Sequence, residues 1–414
     1  MKRFPPIKNR GRRFPAVWMA LLCAALLCGC GRKTTGEPGD AATPAQTKSA
    51  SVSAVGSAAL TTAADPPSAA APAASTAPAA PPGTAPATEA ETASQAARDD
   101  PSPAMLITNG STIPLSALAH RTEDKSAPAV YFTREISADA LRLLYVFMAP
   151  QLPGRIAVKL TTGESQLTNF LKPELIGPLV KEIGGTIVEC MTAYGGARSS
   201  ARLSKQAAKD RGYTAVAAFD LLDEDGSAEL PLTGGTRLKK AYVGSHLNNY
   251  DSVLVLSHFK GHPMAGFGGA LKNVGIGMSS QKGKIYVHSA GTRTAGTIFH
   301  YDQNAWLEAM AEAVKAVSDH LHEGANMRFI SVMNRLSVDC DCLALPQAPD
   351  MHDVGMLASA DPVALDQACV DLVYAAPDGG TLTARMEALN GVHVLEHAEA
   401  IGLGSREYQL VCID

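Results

Sequence analysis

A glycine-rich segment in the middle of the chain carries the densest group of residues that could do chemistry. Residues 257–273 read SHFKGHPMAGFGGALKN and contain two histidines, two lysines and four glycines in seventeen positions. A neutral imidazole can ligate a metal or move a proton, and a desolvated lysine can act as a nucleophile or bind a phosphate. Glycines let the backbone approach a ligand and expose amide N–H groups to an anion. The segment therefore predicts a binding or catalytic site.

The spacing within this segment matches neither common nucleotide fingerprint. Two residues separate Gly269 from Lys272, and Asn273 stands where a phosphate-binding loop needs Ser or Thr. A dinucleotide fingerprint would need a glycine three residues after Gly268. The segment is expected to bind some other anionic ligand. The candidate cofactor-binding residues are Lys159, Lys260, Gly266, Gly268, Gly269 and Lys272.

The elements that must position these residues form an α/β pattern. Short apolar segments alternate with helical patterns, which is typical of a largely parallel sheet flanked by helices, as one unit or as two lobes around a cleft. Open sheets of this kind bind ligands beyond the carboxyl ends of their strands. The loops after Leu160, Cys190 and Ser257 should therefore form the site. The candidate strands are 130–132, 156–160, 186–189, 252–257, 328–333 and 353–359.

Helix starts are also readable from the sequence. Ser137 can cap one helix, Pro173 opens another, and the longest apolar period runs over 303–321. Asp361 followed by Pro362 predicts a helix N-cap rather than a catalytic carboxylate. Lys159 and Glu164 flank a turn after a strand, where a solvated ion pair and a second ligand-facing loop are equal alternatives.

Cysteine usage points to a second candidate site. Five cysteines lie beyond residue 30, an odd number for an exported protein that would pair them. Cys340 and Cys342 are too close in sequence for an easy disulfide with each other, but in a loop both could reach one metal. Disulfides to Cys369 or Cys190, and buried thiols, are the alternatives.

The N-terminal quarter predicts export and tethering. In residues 1–30, six basic residues precede an apolar run over 16–27, which is shorter than the roughly 20 residues of a membrane span. The run ends in Leu-Cys-Gly-Cys, which predicts lipidation of Cys30. Residues 31–104 are rich in Ala, Pro, Thr and Ser without any aromatic residue, and predict a disordered linker. The domain at 105–414 is thus expected on the extracytoplasmic face of a bacterial membrane, facing the periplasm in a cell with two membranes.

The charge balance limits the partners. Removing residues 1–30 takes away six positive charges and changes the formal net charge from -4 to -10. Nucleic acid and anionic headgroups are therefore poor partners. The expected partners are the membrane, through the lipid, and a small-molecule ligand or substrate.

Several motifs resemble one family. They are VKLTTGE (158–164), GGTIVECMTAYGG (184–196), the segment 257–277, GKIYVHSAG (283–291), SVDCDC (337–342) and ASADPVALDQACVDLVY (358–374). Over residues 128–414 the chain is similar to the domain-of-unknown-function 362 family, whose members are often labelled iron–sulfur center proteins without a settled reaction. Many relatives carry a cysteine-rich ferredoxin-like insert after the match to GKIYVHSAG. Residues 292–304 contain no cysteine, so a cluster of that kind is not expected here.

A more distant resemblance is to the nickel-pincer lactate racemases, through the pattern H-x-x-A-G-F-x-G-x-x-K at 262–272. In that family the first histidine transfers protons, the lysine anchors a modified nicotinic-acid nucleotide, and a later histidine ligates nickel. The likeness implies these roles for His262, Lys272 and His288. His258 is a further candidate catalytic residue, and the candidate metal ligands are His288, Cys340 and Cys342.

The hypothesis is an exported, lipid-anchored protein that binds a metal or metal-containing cofactor in a Gly/His/Lys cleft. The candidate cofactors are the nickel-pincer nucleotide, another transition metal or an iron–sulfur cluster. The alternatives are a racemase or epimerase acting on small hydroxy acids, a redox protein, and a non-catalytic ligand-binding lipoprotein. The sequence leaves open whether the chain is an enzyme.

Overall fold

The structure is a computed structural model that describes residues 105–299 and 302–414. The signal peptide predicted at 1–30, the linker predicted at 31–104 and Cys30 lie outside the described residues. None of the helices in the described part is long and apolar enough to cross a membrane.

The strands of the described residues are numbered in chain order. They are β1 (Met105–Ile107), β2 (Thr112–Pro114), β3 (Ala129–Thr133), β4 (Ile156–Lys159), β5 (Thr186–Glu189), β6 (Phe219–Leu221), β7 (Ser227–Pro231), β8 (Lys240–Gly244), β9 (Ser252–His258), β10 (Lys260–His262), β11 (Gly266–Gly268), β12 (Met327–Met333), β13 (Gly355–Ser359) and β14 (Gln409–Cys412).

The α-helices are numbered in the same way. They are α1 (Ala138–Phe147), α2 (Pro173–Glu182), α3 (Ala201–Asp210), α4 (Tyr213–Val216), α5 (Ala270–Gly275), α6 (Gln281–His288), α7 (Gln303–His320), α8 (Pro362–Ala375), α9 (Gly380–Ala388) and α10 (His393–Ala400).

Eight strands form one sheet in the order β14-β3-β13-β12-β9-β4-β5-β6. All neighbouring pairs are parallel except the two that β13 makes with β12 and β3. The predicted α/β fold with a largely parallel sheet is therefore confirmed. Because β12, β9, β4 and β5 are parallel neighbours, their carboxyl ends lie along the same edge of the sheet.

The central strands are covered on both faces. Every residue of β9 and β12 is buried, as expected for parallel strands that carry helices on each side. Successive side chains alternate between two apolar cores: Leu254 and Ile330 belong to one, Val255 and Phe329 to the other. The helices α1 and α2 pack on one face of the sheet, and α5, α7 and α8 pack on the other.

The predicted helix starts are confirmed. The Ser137 side chain accepts a hydrogen bond from the Ala140 N–H at the start of α1. Asp361 accepts from two backbone amides in the first turn of α8, with Pro362 as its first residue. Asp361 is therefore a cap, because its carboxylate oxygens are used by the backbone.

The segment 257–273 is more ordered than a glycine-rich loop. It forms the hairpin of β10 and β11 and then enters α5. The Gly261 N–H donates to the Ser337 carbonyl at 2.8 Å, and a Cβ on Gly261 would lie 2.3 Å from the Val338 carbonyl oxygen. The hairpin thus packs directly on the segment that leads to Cys340.

Candidate functional site

Four loops meet at the shared carboxyl edge of the sheet, following β4, β5, β9 and β12. The Glu164 N–H, after β4, donates to the Asp341 carbonyl, after β12, at 2.8 Å. Arg198, after β5, forms buried ion pairs with Glu164 at 3.0 Å and with Glu189 at 2.7 Å. These contacts fix the loops predicted to form the site, together with the loop after β12.

Lys159 and Glu164 do not form the solvated pair that was one alternative. Lys159 is fully buried, and its Nζ donates to the Leu160 carbonyl at 2.5 Å and to Asn273 Oδ1 at 3.0 Å. Burial lowers the pKa of this ammonium to about 8. Lys159 therefore holds α5 in place, because its ammonium group donates to atoms of the protein.

Asp341, between the two cysteines, anchors their loop. Its carboxylate is 2.9 Å from His258 Nδ1 and 3.1 Å from Lys260 Nζ. Burial alone would raise the pKa of Asp341, but Lys260 and His258 hold it well below its ordinary value. The other ring nitrogen of His258 is 2.7 Å from the Asn334 carbonyl. Both nitrogens of His258 thus face acceptors of the protein itself. His258 therefore holds Asp341 and its loop in position.

His262 presents an N–H to the site. Its Nδ1 accepts from the two backbone amides of 264–265 at 3.1 and 2.9 Å, so the neutral ring carries its proton on Nε2. Burial and the positive charges of Lys272 and Lys260 hold its pKa well below the ordinary value. The Nε2 atom lies 3.6 Å from Cys342 Sγ. His262 is therefore a neutral hydrogen-bond donor.

His288 has the opposite tautomer. Its Nδ1 lies 2.7 Å from the Lys284 carbonyl one turn earlier in α6, so this nitrogen carries the proton. The ring stacks on Trp306 with 5.0 Å between centroids, and burial lowers its pKa to about 4. In the part of the chain that is described, Nε2 has no hydrogen-bond partner. Metal-binding histidines in proteins typically have this arrangement, with one N–H on a carbonyl and the other nitrogen free.

Lys272 is half-buried and makes no hydrogen bond or ion pair with residues 105–299 or 302–414. Burial, followed by repulsion from Lys260, Arg198 and Lys159, lowers its pKa to about 7. Its charge lowers the pKa of both His262 and His288. A Cβ on Gly268 would lie 3.4 Å from Lys272 Cδ, and Gly268 belongs to the hairpin that also carries His262. Lys272 therefore lies against the hairpin of His262.

The glycines of the segment have different roles. Gly266 has a φ of 80°, and a Cβ there would lie 2.9 Å from Gly391 Cα. A Cβ on Gly269 would lie 2.2 Å from Asp366 Oδ1. Packing thus explains Gly266 and Gly269 without a ligand. Gly268 alone of the three borders lysine side chains, Lys272 at 3.4 Å and Lys260 at 3.8 Å from a Cβ.

Cys340 and Cys342 form a disulfide with each other, with 5.2 Å between their Cα atoms. The expectation that they are too close to pair was wrong, because the loop turns around the anchored Asp341 and brings both sulfurs to one side. Cys190 and Cys369 are buried free thiols, so the alternative pairings are also excluded. Cys190, at the end of β5, donates to the Met278 carbonyl.

Two residues that shape the site were not predicted from the sequence. Asp366 of α8 accepts from the Ala270 and Leu271 amides at 2.7 and 2.9 Å and so holds the start of α5. Burial raises its pKa to about 7. Arg198 neutralises two buried carboxylates. In the sequence, both residues look like ordinary charged residues. Only their contacts with distant parts of the chain show their roles.

The described residues fit the candidate cofactors to different degrees. His262, Cys340 and Cys342 offer donor atoms within 4.8 Å of one another, but the sulfurs share a disulfide and the His262 Nε2 carries a proton. These residues supply two cysteines, not the four thiolates of a typical iron–sulfur cluster, so that cofactor does not fit. His288, with a free Nε2, and Lys272, without an anionic partner, fit an anionic group that contains a metal.

The fold and site define an α/β domain that carries buried lysines and histidines in and after the loops at the carboxyl edge of its sheet. The chain belongs to the family described as "Domain of unknown function (DUF362)", whose model matches residues 156–371. No curated protein matches the chain.

Among solved structures, the chain is similar to the lactate racemase apoprotein from Thermoanaerobacterium thermosaccharolyticum, with 12% identity and a TM-score of 0.37. It is also similar to a structural-genomics protein from Thermotoga maritima, with 12% identity and a TM-score of 0.34. The matches cover 66% and 64% of this chain, and 62% and 58% of the two neighbours. Similarity this low does not show what the chain binds.

Proposed function

We propose that the protein is an exported, lipid-anchored protein that binds an anionic, metal-containing cofactor in the cleft of His262, Lys272 and His288. The observation that carries the proposal is the imidazole of His288, with one nitrogen fixed on the Lys284 carbonyl and the other free. The unpaired Lys272, which lies against the hairpin that carries the N–H of His262, supports it. A cationic cleft of this kind favours an anion, and a neutral imidazole favours a borderline transition metal such as nickel or zinc.

Each of the three side chains would have a separate role in binding the cofactor. His288 would hold the metal through Nε2, because its other nitrogen is fixed on the Lys284 carbonyl. Lys272 would bind an anionic part of the cofactor, and with a pKa of about 7 it is also a competent nucleophile. His262 would donate a hydrogen bond from Nε2 to a developing negative charge. When bound, such a cofactor would supply the hydrogen acceptor that the protein's own side chains lack.

The test is metal analysis and intact mass of the full chain purified from membranes. We expect about one equivalent of a transition metal, at purification or after dialysis against Ni²⁺ or Zn²⁺, and at least a tenfold lower content in His288→Ala. A mass increment located on Lys272 would further support the proposal. The control is His246→Asn, since the His246 nitrogens already pair with Asp220 and Asp225 at 2.8 Å. A wild-type chain that holds no metal after dialysis, or a His288→Ala chain that keeps it, would refute the metal site.

The lipid anchor has its own test. The leader sequence and Cys30 support it. In fractionated cells, the wild-type chain should be found with membranes and carry acyl chains, whereas Cys30→Ser should lose the acyl mass. Equal fractionation of both chains, without acyl mass in either, would contradict the anchor.

A second candidate is a racemase or epimerase acting on small hydroxy acids. It is favoured by one observation, the presence of both a lysine of lowered pKa and a neutral histidine donor. A hydroxy acid carries a carboxylate and a hydroxyl, which two such groups could bind. Loss of optical activity from one enantiomer of a small 2-hydroxy acid, present in the metal-loaded wild type and absent in Lys272→Met, would support it. Unchanged optical activity across a panel of such acids would count against it.

A further inference from the structure

We propose that Cys340 and Cys342, in the loop after β12, form a reversible dithiol–disulfide couple that exchanges electrons with a dithiol reductant. The disulfide links residues two positions apart, so it joins no distant parts of the chain. The stabilisation from a disulfide grows with the length of the loop it closes, and this loop is among the shortest that a disulfide can close. A structural role therefore explains this disulfide poorly.

Other contacts already hold the loop. The Asp341 carboxylate bonds His258 and Lys260, and its carbonyl accepts from the Glu164 N–H. Because these contacts fix the residue between the cysteines, the loop keeps its place when the sulfur–sulfur bond is broken. Reduction is then a local event, as a reversible couple requires.

The surroundings favour the reduced form. The His262 Nε2–H lies 3.6 Å from Cys342 Sγ and can donate to a thiolate there. Lys272, which lies against the hairpin that carries His262, adds a positive charge without an anionic partner. Stabilising the thiolate makes a disulfide easier to reduce. Cys340 is fully buried and Cys342 only partly, so a reductant reaches Cys342 first.

The thiol–disulfide exchange takes place in two steps. A thiolate of the reductant attacks Cys342 Sγ, a mixed disulfide forms, and Cys340 leaves as a thiolate. The second thiol of the reductant then attacks the reductant sulfur that is bonded to Cys342 Sγ. Cys342 leaves as a thiolate. The pair gains two electrons and takes up protons from water, and the reductant ends as a disulfide. The couple needs no bound metal, so it can fail or hold independently of the function proposed above.

The test counts thiols in the full chain. The folded protein is equilibrated with mixtures of reduced and oxidised dithiothreitol, quenched, and alkylated under denaturing conditions for intact mass and peptide mapping. The disulfide form should carry three labels on the cysteines of residues 105–414, at Cys190, Cys369 and Cys412, and the dithiol form five. We expect the count to rise to five without denaturant and to return to three on reoxidation. A count that changes only after urea is added, or that never returns, overturns the couple.

A variant tests the part played by His262. His262→Phe removes the donor at the sulfur and should shift the equilibrium with dithiothreitol about tenfold toward the disulfide. The control His246→Asn should leave it unchanged, and circular dichroism shows whether each variant is folded. An unshifted equilibrium in a folded His262→Phe chain would remove His262 from the couple. The wild-type thiol count tests the couple itself, whatever the variant does.

Discussion

Replacing Lys272 with methionine should stabilise the protein in a way that depends on pH. Lys272 is a cation without an anionic partner, and its surroundings lower its pKa from 10.5 to about 7. A shift of this size corresponds to about 5 kcal/mol in the free energy of unfolding. Because the side chain is half-buried, solvent screens part of this, and about 2 to 4 kcal/mol is expected.

The sign follows from proton linkage. Below pH 7 the lysine is charged in both states, and the folded state carries the whole cost of holding that charge. Between pH 7 and 10.5 only the unfolded state keeps the proton, so wild-type stability rises with pH by up to about 1.4 kcal/mol per pH unit. Above pH 10.5 the cost is gone. The advantage of Lys272→Met should therefore be largest at pH 6 and nearly absent at pH 10.5.

The assay is urea unfolding of the metal-free full chain at pH 6, 8 and 10, followed by the fluorescence of the buried Trp306. The matched control is Lys209→Met, which removes an exposed lysine from the last turn of α3. That variant should stay within about 0.5 kcal/mol of wild type at every pH. If Lys272→Met is less stable than wild type at pH 6, or if its advantage is the same at pH 6 and 10, then Lys272 does not carry an unfavourable charge in the folded protein.

Two other predictions use buried charges. The pKa of Asp366 is raised to about 7, so its charge destabilises the fold above pH 7; Asp366→Asn should gain about 3 kcal/mol relative to wild type between pH 5 and pH 8, measured by urea unfolding. A constant difference over that range would contradict the buried charge. Arg198→Met should cost about 3 to 5 kcal/mol, because it leaves Glu164 and Glu189 buried without a cation. Arg142→Met, which breaks an exposed ion pair, should leave the urea midpoint of unfolding nearly unchanged, and equal losses in the two variants would show that burial does not matter.

The fold could be predicted from the sequence to a large extent. The strand predicted at 186–189 is β5 itself, and the cap at Asp361 was assigned correctly from its neighbour Pro362. These signals are local, since hydrophobic period and capping depend on residues within one or two turns. The small hairpin of β10 and β11 was not predicted, because its place depends on the segment 337–338, more than seventy residues later.

The candidate site could be predicted less well, for the same physical reason. Residue types and spacing drew attention to His262, Lys272 and His288, and the structure places Lys272 against the hairpin that carries His262. Spacing could not show that Lys159 points inward or that Asp366 holds α5. Burial and distant partners decide such roles, and neither is visible in a short stretch of sequence.

The sequence by itself determined the α/β class, the family and the segment that carries the chemistry, because apolar periodicity and motifs are properties of neighbouring residues. Only the tertiary structure decided which nitrogen of each histidine is protonated, which carboxylates Arg198 neutralises, and that Cys340 pairs with Cys342. These outcomes depend on hydrogen bonds and charges contributed by loops after four different strands. Packing at the carboxyl edge of the sheet brings those loops together and excludes the water that would otherwise mask their charges.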